Sequence, residues 1–332
     1  MRILVTGSSG YIGSRWTQML RGLGHEVIGL DREPPIVELD HVIVADLTNP
    51  ATYEAQLAGV DQIHHLAAAK GDWGISEAEY DRDNREATAR LIEVARRLGI
   101  LQWLYYSTVA VLGPTDGALD ETAPMAPNHP YGASKAEAEI LVDGFCREDG
   151  ACVATIRPSV VFGPENPWNT NIFRLMESVY KRRFVMVGEG REIKTTSYIE
   201  NLLAATLHVF QTCLPGSAGQ HALFHYVDTP AQSTGQIVAM IHQALGMSPG
   251  GLRLPMWFAA GIAKVADMTA AVTRIDLPIT SARIQKFGTS TNFAAERIRT
   301  SGFVQPIDAP TAMSRTADWY RNVYLPRRNS PS

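Results

Sequence analysis

The first half of the chain alternates short apolar runs with longer segments in which apolar residues recur every three or four positions. The short runs predict six strands, at residues 3–5, 27–30, 42–44, 62–66, 103–107 and 153–156. The longer segments predict helices at residues 11–23, 52–57, 77–98 and 131–148. Strands this apolar are typical of a parallel sheet that is covered by helices on both faces. The pattern therefore predicts an α/β fold with a doubly wound parallel sheet, which binds its ligand at the carboxyl ends of the strands.

Beyond Pro164 the alternation weakens and helical patterns dominate. Helices are predicted at residues 172–181, 198–210, 234–245, 255–272, 293–300 and 310–320, with short strands at 184–187 and 223–227. We therefore divide the chain into a Rossmann-type domain (1–164), a smaller, mostly helical C-terminal lobe (165–325, with some chain crossing back to the sheet) and a flexible tail (326–332). Lys264 and Asp267 interrupt the helix at 255–272, which favours packing on the lobe over contact with a membrane surface or a partner.

Composition narrows the class of protein further. The chain has 332 residues, of which 45% are hydrophobic and 19% charged, as is ordinary for a globular protein. A net charge of −4 argues against a nucleic-acid partner, because phosphate binding needs a basic surface. Three cysteines in no paired spacing indicate a reducing compartment. With no signal sequence and no apolar run long enough to cross a bilayer, we expect a cytoplasmic protein without stable membrane insertion.

Two histidines raise the question of a metal site. His221 and His225 lie four residues apart, but the segment that carries them reads as a strand. Four strand residues separate the two side chains by about 13 Å, so one ion could not bind both. No metal site is expected.

A glycine-rich turn follows the first predicted strand and opens the first helix. Its glycines, Gly7, Gly10 and Gly13, read G-x-x-G-x-x-G, one residue wider than the usual dinucleotide fingerprint. Gly7 would allow the tight turn, Gly10 the close approach of a pyrophosphate, and Gly13 the packing of helix against sheet. The helix that begins with Tyr11 and Ile12 would turn free N–H groups toward the phosphates. This turn is predicted to bind a dinucleotide.

The ends of the next strands carry residues suited to the rest of a dinucleotide. Asp31 ends the second strand and would accept hydrogen bonds from both adenosine ribose hydroxyls, which favours NAD over NADP. Arg32 leaves NADP open, because a guanidinium can bind a 2′-phosphate. Asp46 and Leu47 would close over the adenine. The end of the fourth strand has small side chains that leave room for the cofactor, then a lysine that could reach a phosphate or ribose: Leu66, Ala67, Ala68 and Lys70.

A Tyr-xxx-Lys pair begins the helix predicted at 131–148. Tyr131 and Lys135 lie four residues apart and therefore on one helix face. A neighbouring ammonium and an oxidised nicotinamide would both lower the pKa of the phenol from its usual value of about 10. Tyr131 could then take a proton from a secondary alcohol while hydride leaves the same carbon, and Lys135 would also hold the nicotinamide ribose. Ser107 and Thr108 end the fifth strand, where a hydroxyl would steady the reacting oxygen.

Together these residues resemble the extended short-chain dehydrogenase/reductase family, and within it the NAD-dependent epimerase/dehydratase branch. The matching positions are Gly7, Gly10, Gly13, Asp31, 46–47, 65–68, Asn84, Ser107, Thr108, Tyr131, Lys135, 157–164 and, more loosely, 188–190 and 197–201. The resemblance implies catalytic roles for Thr108, Tyr131 and Lys135, and it implies that Pro158 and Val161 lie beside the nicotinamide. It also implies a homodimer formed through the helices predicted at 77–98 and 131–148.

Departures from the family pattern narrow the activity. Dehydratases of this branch have an Asp-Glu pair after the catalytic threonine, where this chain has Val109 and Ala110. Neither side chain can transfer a proton, so dehydratase activity is not expected. Lys194 stands near the position where many relatives have an arginine for the substrate diphosphate.

The leading hypothesis is a nucleotide-sugar 4-epimerase that acts through a transient 4-keto sugar. The candidate substrate contacts are Val109, Asn171, Lys194 and Arg283. Three alternatives stay open: a sugar-nucleotide dehydrogenase or ketoreductase, a 3β-hydroxysteroid or sterol dehydrogenase, and a non-catalytic NAD(P)-sensing regulator. The complete set of Thr108, Tyr131 and Lys135 argues against the regulator, because a sensor needs no acid–base relay.

Overall fold

A seven-stranded parallel sheet forms the centre of the computed structural model, which describes residues 1–70, 74–115, 117–214, 216, 218–258, 261 and 290–329. Its strands are β1 (Arg2–Thr6), β2 (Glu26–Asp31), β3 (His41–Val44), β4 (Gln62–His65), β5 (Gln102–Tyr106), β6 (Cys152–Pro158) and β11 (His221–Tyr226). Their order is β11-β6-β5-β4-β1-β2-β3, and every neighbouring pair is parallel. Short strands pair beside this sheet: β7 (Val160–Phe162) with β10 (Thr196–Tyr198), β8 (Val185–Val187) with β13 (Leu252–Leu254), and β9 (Ile193–Lys194) with β12 (Gln232–Ser233).

The helices begin and end close to the positions that the apolar periodicity predicts. They are α1 (Tyr11–Gly22), α2 (Glu77–Tyr80), α3 (Ala87–Leu98), α4 (Pro130–Asp149), α5 (Asn171–Tyr180), α6 (Ile199–His208), α7 (Thr234–Ala244), α8 (Glu296–Thr300), α9 (Ala309–Trp319) and α10 (Leu325–Asn329). A π-helical turn, Asp81–Glu86, joins α2 to α3, so residues 77–98 form one helical segment. The first turn of α4 carries Pro130, and Gly150 ends the helix in the left-handed region, as the preferences of these residues favour.

Alternating side chains along each strand place helices on both faces of the sheet. On one face Leu4, Ile63 and their neighbours pack against α3 and α4. On the other face Ile3 and Val5 pack against α1 and α6 in a core that continues through α5, α7 and α9 of the C-terminal lobe. The predicted Rossmann-type, doubly wound sheet is confirmed, and the C-terminal region is mostly helical as expected.

The strand order changes direction at β1, which lies between β2 and β4. Connections on the two sides of such a point leave the sheet toward opposite faces, and this opens a crevice at the carboxyl ends of the strands. The glycine loop follows β1, and residues 66–70 follow β4, so both segments border that crevice.

Two predicted segments differ from the observed ones. Residues 50–57 form two short 3₁₀-helices, Pro50–Thr52 and Glu54–Leu57, because Pro50 and Gly59 leave too few residues between them for a stable α-helix. The tail that was predicted to be flexible from residue 326 starts inside α10, where Arg328 pairs with Glu177 of α5 at 2.6 Å. Residues 330–332 lie outside the described part.

Some predictions fall partly outside the described residues. Of the helix predicted at 255–272, only residues 255–258 and 261 are described. Throughout the described ranges, no helix is both long and apolar enough to cross a membrane.

A buried carboxylate, Asp228, joins the C-terminal lobe to the edge of the sheet. It follows β11 and accepts hydrogen bonds from the Tyr198 backbone N–H at 2.6 Å, the Asn201 side-chain amide at 3.0 Å and the Tyr226 hydroxyl at 3.0 Å. The Asn201 amide also donates to the Ile307 carbonyl at 2.8 Å. The motif predicted at 197–201 therefore has a structural role, since it fixes the start of α6 against β11 and the segment before α9.

Asp228→Asn tests this joint. The amide keeps one accepting oxygen, but its NH2 group would face at least one of the three existing donors, so we expect the free energy of unfolding to fall by about 2–3 kcal/mol. Urea denaturation measures the change. Asp318→Asn, on an exposed surface, should stay within about 0.5 kcal/mol of the wild type. Equal stability of the two variants would contradict the role assigned to Asp228.

Candidate active site

The glycine loop connects β1 to α1, and two of its glycines cannot be replaced. Gly7 lies in the left-handed region at φ +71°, and a Cβ there would lie 2.7 Å from the backbone nitrogen of Ala67. A Cβ at Gly13 would lie 2.0 Å from the carbonyl oxygen of Gly7. A Cβ at Gly10 would meet only that same carbonyl, at 3.1 Å. The outer side of Gly10 is therefore open to an approaching group.

The beginning of α1 is suited to bind an anion. Gly10 is its N-cap residue, no side chain caps this end, and the first turn carries no acidic residue. The N–H groups of the first turn and the positive end of the helix dipole are thus available to a phosphate. Tyr11 anchors the loop to the last residue before the C-terminal lobe, since its hydroxyl donates to the Pro164 carbonyl at 2.9 Å. Ile12 is partly buried in the shared core.

Asp31 lies at the predicted ribose position and also holds the glycine loop through a hydrogen bond. One of its oxygens accepts from the Ser9 backbone N–H at 3.0 Å, and the other accepts from the Glu33 N–H at 3.1 Å. Each carboxylate oxygen can accept a further hydrogen bond. Asp31 can therefore hold the loop and a ribose hydroxyl together.

Arg32, which allowed NADP as an alternative cofactor, is already paired with carboxylates. Arg32 lies 2.9 Å from Asp83 and 3.9 Å from Asp46, and Arg82 contacts the same two side chains at 2.8 and 3.6 Å. Partial burial raises the pKa of Asp46, but hydrogen bonds from Thr48 and the two guanidinium groups hold it below its usual value. Both acids therefore compete with a 2′-phosphate for these arginines.

The segment after β4 is fixed by Asn84. Its side-chain oxygen accepts from the Ala69 backbone N–H at 2.8 Å, and its amide donates to the Ala69 carbonyl at 3.2 Å and the Ser134 hydroxyl at 2.9 Å. The segment contains the predicted cofactor contacts Leu66, Ala67, Ala68 and Lys70, of which Ala68 and Lys70 are exposed. Asn84 thus holds the cofactor side of the crevice at a set distance from the start of α4.

His65 is a site residue that the sequence did not single out for its own chemistry. Its two ring nitrogens lie 2.7 Å from the Thr6 hydroxyl and 3.0 Å from the Thr88 hydroxyl. Burial, and then the positive charge of Lys135, lowers the pKa of His65 to about 3. The ring is therefore neutral and connects β1, β4 and α3 beneath the crevice. The feature of the sequence that could have identified His65 is a histidine within an otherwise apolar strand.

Tyr131 and Thr108 meet where β5 ends and α4 begins. The Thr108 hydroxyl hydrogen-bonds to the Tyr131 phenol and accepts from the Ala110 N–H at 3.2 Å. The His129 ring stacks on Tyr131 with centroids 6.1 Å apart and planes 3° apart, and Tyr80 lies 5.9 Å away. His129 also caps α4, since its Nδ1 accepts from the Gly132 N–H at 3.0 Å. The phenol is thereby held in one orientation beside Thr108.

The expected lowering of the phenol's pKa does not arise from the protein's side chains alone. Burial raises the pKa of Tyr131 to about 12, and the hydrogen bond from Thr108 offsets only part of this effect. The prediction was wrong in this respect because the Lys135 ammonium is engaged elsewhere. A positive charge brought into the crevice would shift the pKa in the direction that catalysis needs.

Lys135 is buried almost completely, at 1% exposure. Its ammonium donates to the Tyr106 carbonyl at 2.8 Å and lies 4.3 Å from the ring centroid of Tyr105. Burial lowers the pKa of Lys135 to about 7, while Glu139, one turn further along α4, acts to raise it. Lys135 therefore changes between its charged and its neutral form near neutral pH.

Glu139 is held by a buried ion pair with Arg157 of β6. The Arg157 Nε lies 2.9 and 3.2 Å from the two carboxylate oxygens, and one terminal nitrogen adds a second contact. His225 of β11 lies 3.5 Å from the other terminal nitrogen, and its backbone N–H donates to the buried Glu121 at 3.0 Å. This network ties the catalytic helix to two strands of the sheet.

The remaining predicted residues are distributed over both parts of the molecule. Val109 is buried in the 3₁₀-turn after Thr108, Pro158 ends β6, and Val161 lies in β7. Leu47 is buried after β3. On the C-terminal lobe, Asn171 begins α5 and is exposed, and Lys194 lies opposite Gln232 in a two-stranded pair. Arg283 lies outside the described residues. A contact of Val109, Asn171 or Lys194 with substrate stays a prediction.

Comparison with known proteins identifies the family. Its model, described as the NAD dependent epimerase/dehydratase family, matches residues 3–222. The chain belongs to this family. The whole chain is similar to N-acetyl-alpha-D-glucosaminyl-diphospho-ditrans,octacis-undecaprenol 4-epimerase of Escherichia coli O157:H7, with 25% identity over 96% of this chain and 94% of the relative.

Other relatives share parts or the fold. The 3-beta-hydroxysteroid dehydrogenase of Mycolicibacterium neoaurum is 31% identical over 65% of this chain and 62% of its own length. The crystal structure of UDP-glucuronic acid 4-epimerase from Bacillus cereus in complex with NAD has a TM-score of 0.78. It is 21% identical and covers 98% of this chain and 100% of that one, which shows the shared fold. The family thus contains NAD-dependent enzymes, and the chain is one of them.

The crevice fits the dinucleotide that the family uses. The open side of Gly10 and the uncapped start of α1 suit a pyrophosphate, and Asp31 suits the adenosine ribose. At the other end of the crevice the Ser107 hydroxyl is buried without a hydrogen-bond partner among the described residues. An orphaned buried hydroxyl is costly unless a bound group completes its hydrogen bonding. Tyr131 and Lys135 lie beside this end.

Glu139→Gln tests the electrostatic role of the buried pair. Without the carboxylate, the pKa of Lys135 should fall below about 7, so the alkaline limb of NAD-dependent turnover should move to lower pH. Arg157 would be left unpaired, which should cost about 3–5 kcal/mol of stability. Rate–pH profiles and thermal unfolding measure the two effects separately.

Two further variants serve as controls for this test. Combining Glu139→Gln with Arg157→Met removes the unpaired cation, so stability should partly return while the alkaline limb stays shifted. Glu137→Gln, on the exposed side of the same helix, should leave the profile unchanged. An unchanged alkaline limb in both Glu139 variants would show that this carboxylate does not act on Lys135.

Proposed function

We propose that this enzyme is a 4-epimerase of a nucleotide sugar, and that it inverts C4 through a transient 4-keto sugar. The observation that carries the proposal is the likeness to a curated 4-epimerase along 96% of the chain, together with the complete catalytic set of that family. The relative's sugar is joined to a diphosphate, and a nucleotide sugar presents the same sugar–diphosphate group. The C-terminal lobe would bind the part of the substrate beyond the sugar ring.

Tyr131 moves the proton in this reaction. It takes the proton of the C4 hydroxyl in the first half-reaction and returns one to the C4 oxygen in the second, so no proton is gained or lost overall. When bound, NAD supplies a hydride acceptor for C4 and then the hydride donor that restores the alcohol. Thr108 holds the C4 oxygen against Tyr131, because its hydroxyl already hydrogen-bonds to the phenol.

Lys135 would hold the nicotinamide ribose through its ammonium. The oxidised ring carries a positive charge, which would oppose the effect of burial on the pKa of Tyr131. Pro158 and Val161 would bound the nicotinamide on the side of β6 and β7. The phenol would therefore become a base only when the cofactor is in place.

The cofactor is proposed to be NAD and not NADP. Asp31 would repel a 2′-phosphate, and Arg32 and Arg82 are paired with Asp46 and Asp83. An incoming 2′-phosphate would have to displace these carboxylates and would gain no unpaired cation. The hydrogen-bonding capacity left on Asp31 suits a free 2′-hydroxyl.

A hydroxysteroid dehydrogenase is the second candidate. It is favoured by the 31% identity to the mycobacterial 3-beta-hydroxysteroid dehydrogenase over 65% of the chain. The same Tyr131 and Thr108 would serve this reaction, but reduced cofactor would be released in each turnover. Dehydratase activity is not proposed, because Val109 and Ala110 cannot carry a proton in an elimination.

Product analysis separates these functions. Purified protein is incubated with UDP- and dTDP-sugars and with a polyprenyl-diphosphate sugar, without added cofactor. We expect a C4 epimer and no net reduced cofactor, and NAD should be the nucleotide released when the protein is denatured. Tyr131→Phe should reduce turnover about 10²–10⁴-fold, because it removes the proton carrier. Tyr180→Phe, at an exposed position of α5, should not.

Two outcomes would redirect the assignment. Release of reduced cofactor with a hydroxysteroid, and conversion of no sugar, would establish the second candidate. Full activity of Tyr131→Phe on any sugar would contradict the catalytic role of this residue.

We also propose a homodimer formed through α4 and residues 77–98. Ile140 is 56% exposed on the outer side of α4, and Leu98 at the end of α3 is 38% exposed. Ile140→Glu should therefore convert the dimer to a monomer in sedimentation velocity experiments. Ile36→Glu, at an exposed loop position, should leave it intact. A wild-type monomer at all concentrations would exclude this dimer.

A further inference from the structure

An exposed apolar surface lies on the C-terminal lobe, away from the helices of the proposed dimer. β8 and β13 pair in parallel there, with Val185 opposite Leu252. Trp257 and Phe258 follow β13, and their rings form an edge contact with centroids 5.6 Å apart. Leu252 is 61% exposed and Trp257 is 75% exposed. Contiguous exposure of large apolar side chains is typical of a binding surface and not of a solvated one.

Three arginines lie close to this apolar surface in the chain, two at its border and one on the opposite face of β13 from Leu252. Arg182 and Arg183 form the tight turn between α5 and β8, and Arg253 lies within β13. All three are exposed, and none of them forms an ion pair with any described residue. The nearest carboxylates on either side of that turn, Glu177 and Glu189, are already paired with other cations.

These arginines differ from most others on the molecule. At the adenosine end of the crevice, on residues 77–98 and on α4, exposed arginines form ion pairs with carboxylates. The surface beside the exposed aromatic rings therefore carries positive charge that no carboxylate of the described residues pairs with, unlike the regions with ion pairs. It is complementary to a partner that is apolar within and anionic at its boundary.

We propose that this surface, formed by Val185, Leu252, Trp257 and Phe258 with Arg182 and Arg183 at its border, docks the C-terminal lobe on an anionic lipid bilayer. Tryptophan and phenylalanine rings partition to the level of the headgroups, where their apolar bodies reach the acyl chains. Unpaired arginines gain from anionic headgroups without losing an internal partner. A protein partner would need a matching shape and acids at matching positions, whereas the headgroups of an anionic bilayer can move to meet the arginines.

Docking of this kind does not depend on the identity of the substrate. The surface lies on elements that carry none of the proposed catalytic or glycine-loop residues, so docking needs none of their side chains. The consequence is that the enzyme would work at a membrane surface although no described helix spans a membrane.

Vesicle binding tests the proposal with the full chain. Sedimentation with vesicles of equal parts phosphatidylglycerol and phosphatidylcholine should retain the protein, and pure phosphatidylcholine should not. Raised salt should weaken the binding, because the arginine contribution is screened. Neutralising Arg182 and Arg183 to glutamine should weaken it about fivefold for each residue. Trp257→Ser should weaken it about tenfold.

A matched control uses a second tryptophan that is highly exposed among the described residues. Trp168 is 67% exposed but lies before α5 and outside this surface, so Trp168→Ser should bind vesicles as the wild type does. Quenching by brominated lipid gives a readout that needs no destabilising change, since wild-type fluorescence should be quenched and that of Trp257→Phe should be quenched less.

The possible results decide the proposal. Binding to anionic vesicles that requires Trp257 and the arginines supports it, and turnover of a water-soluble substrate by these variants keeps this result separate from the activity. Absence of binding, or binding that the Trp257 and arginine variants do not change, overturns it. Concentration-dependent self-association that Trp257→Ser abolishes would also overturn it, because a second copy of the chain would then be the occupant.

Discussion

The burial of the Lys135 ammonium is the constraint around which the catalytic region is arranged. A cation taken out of water is strongly disfavoured unless it is hydrogen-bonded and compensated by charge. Here the Tyr106 carbonyl accepts from it, the Tyr105 ring lies beneath it, and Glu139 supplies negative charge one turn away. Glu139 is itself buried and needs Arg157. The contacts that compensate these buried charges come from different elements. Together they fix α4, β5 and β6 relative to one another.

The position of Tyr131 follows from that arrangement. Because Lys135 anchors α4 to the end of β5, the residue one turn earlier must lie beside Thr108, where the same strand ends. His129 completes the orientation by capping the helix and stacking on the phenol. The tyrosine stays protonated in these surroundings and so cannot accept a proton, since burial raises its pKa to about 12. The site therefore needs the charge of a bound cofactor to become basic.

The two lobes are not independent bodies around this site. The core on one face of the sheet continues into the C-terminal helices, Tyr11 bonds to Pro164, and Asp228 ties α6 to the edge strand β11. The glycine loop is therefore held from both sides. This rigidity suits the proposed epimerisation, because the reacting groups must keep their spacing through both of its steps.

The sequence by itself determined the elements, the glycine loop and the residues proposed for catalysis. Apolar periodicity is a local property, and the steric demands of Gly7 and Gly13 act over a few residues, so both could be read from the chain. The Tyr131/Lys135 spacing likewise depends only on helix geometry. Where local preference was weak, as at residues 50–57 and in the C-terminal helix α10, the prediction differed from the structure.

Only the tertiary structure decided which groups face each other across the fold. The sequence could not show that Arg32 pairs with Asp83, that His65 joins Thr6 to Thr88, or that Arg157 reaches Glu139, because each pair is far apart in the chain. For the same reason the sequence could not show the charge states of Tyr131 and Lys135. A pKa is set by burial and by neighbours from other elements, and these exist only once the chain has folded.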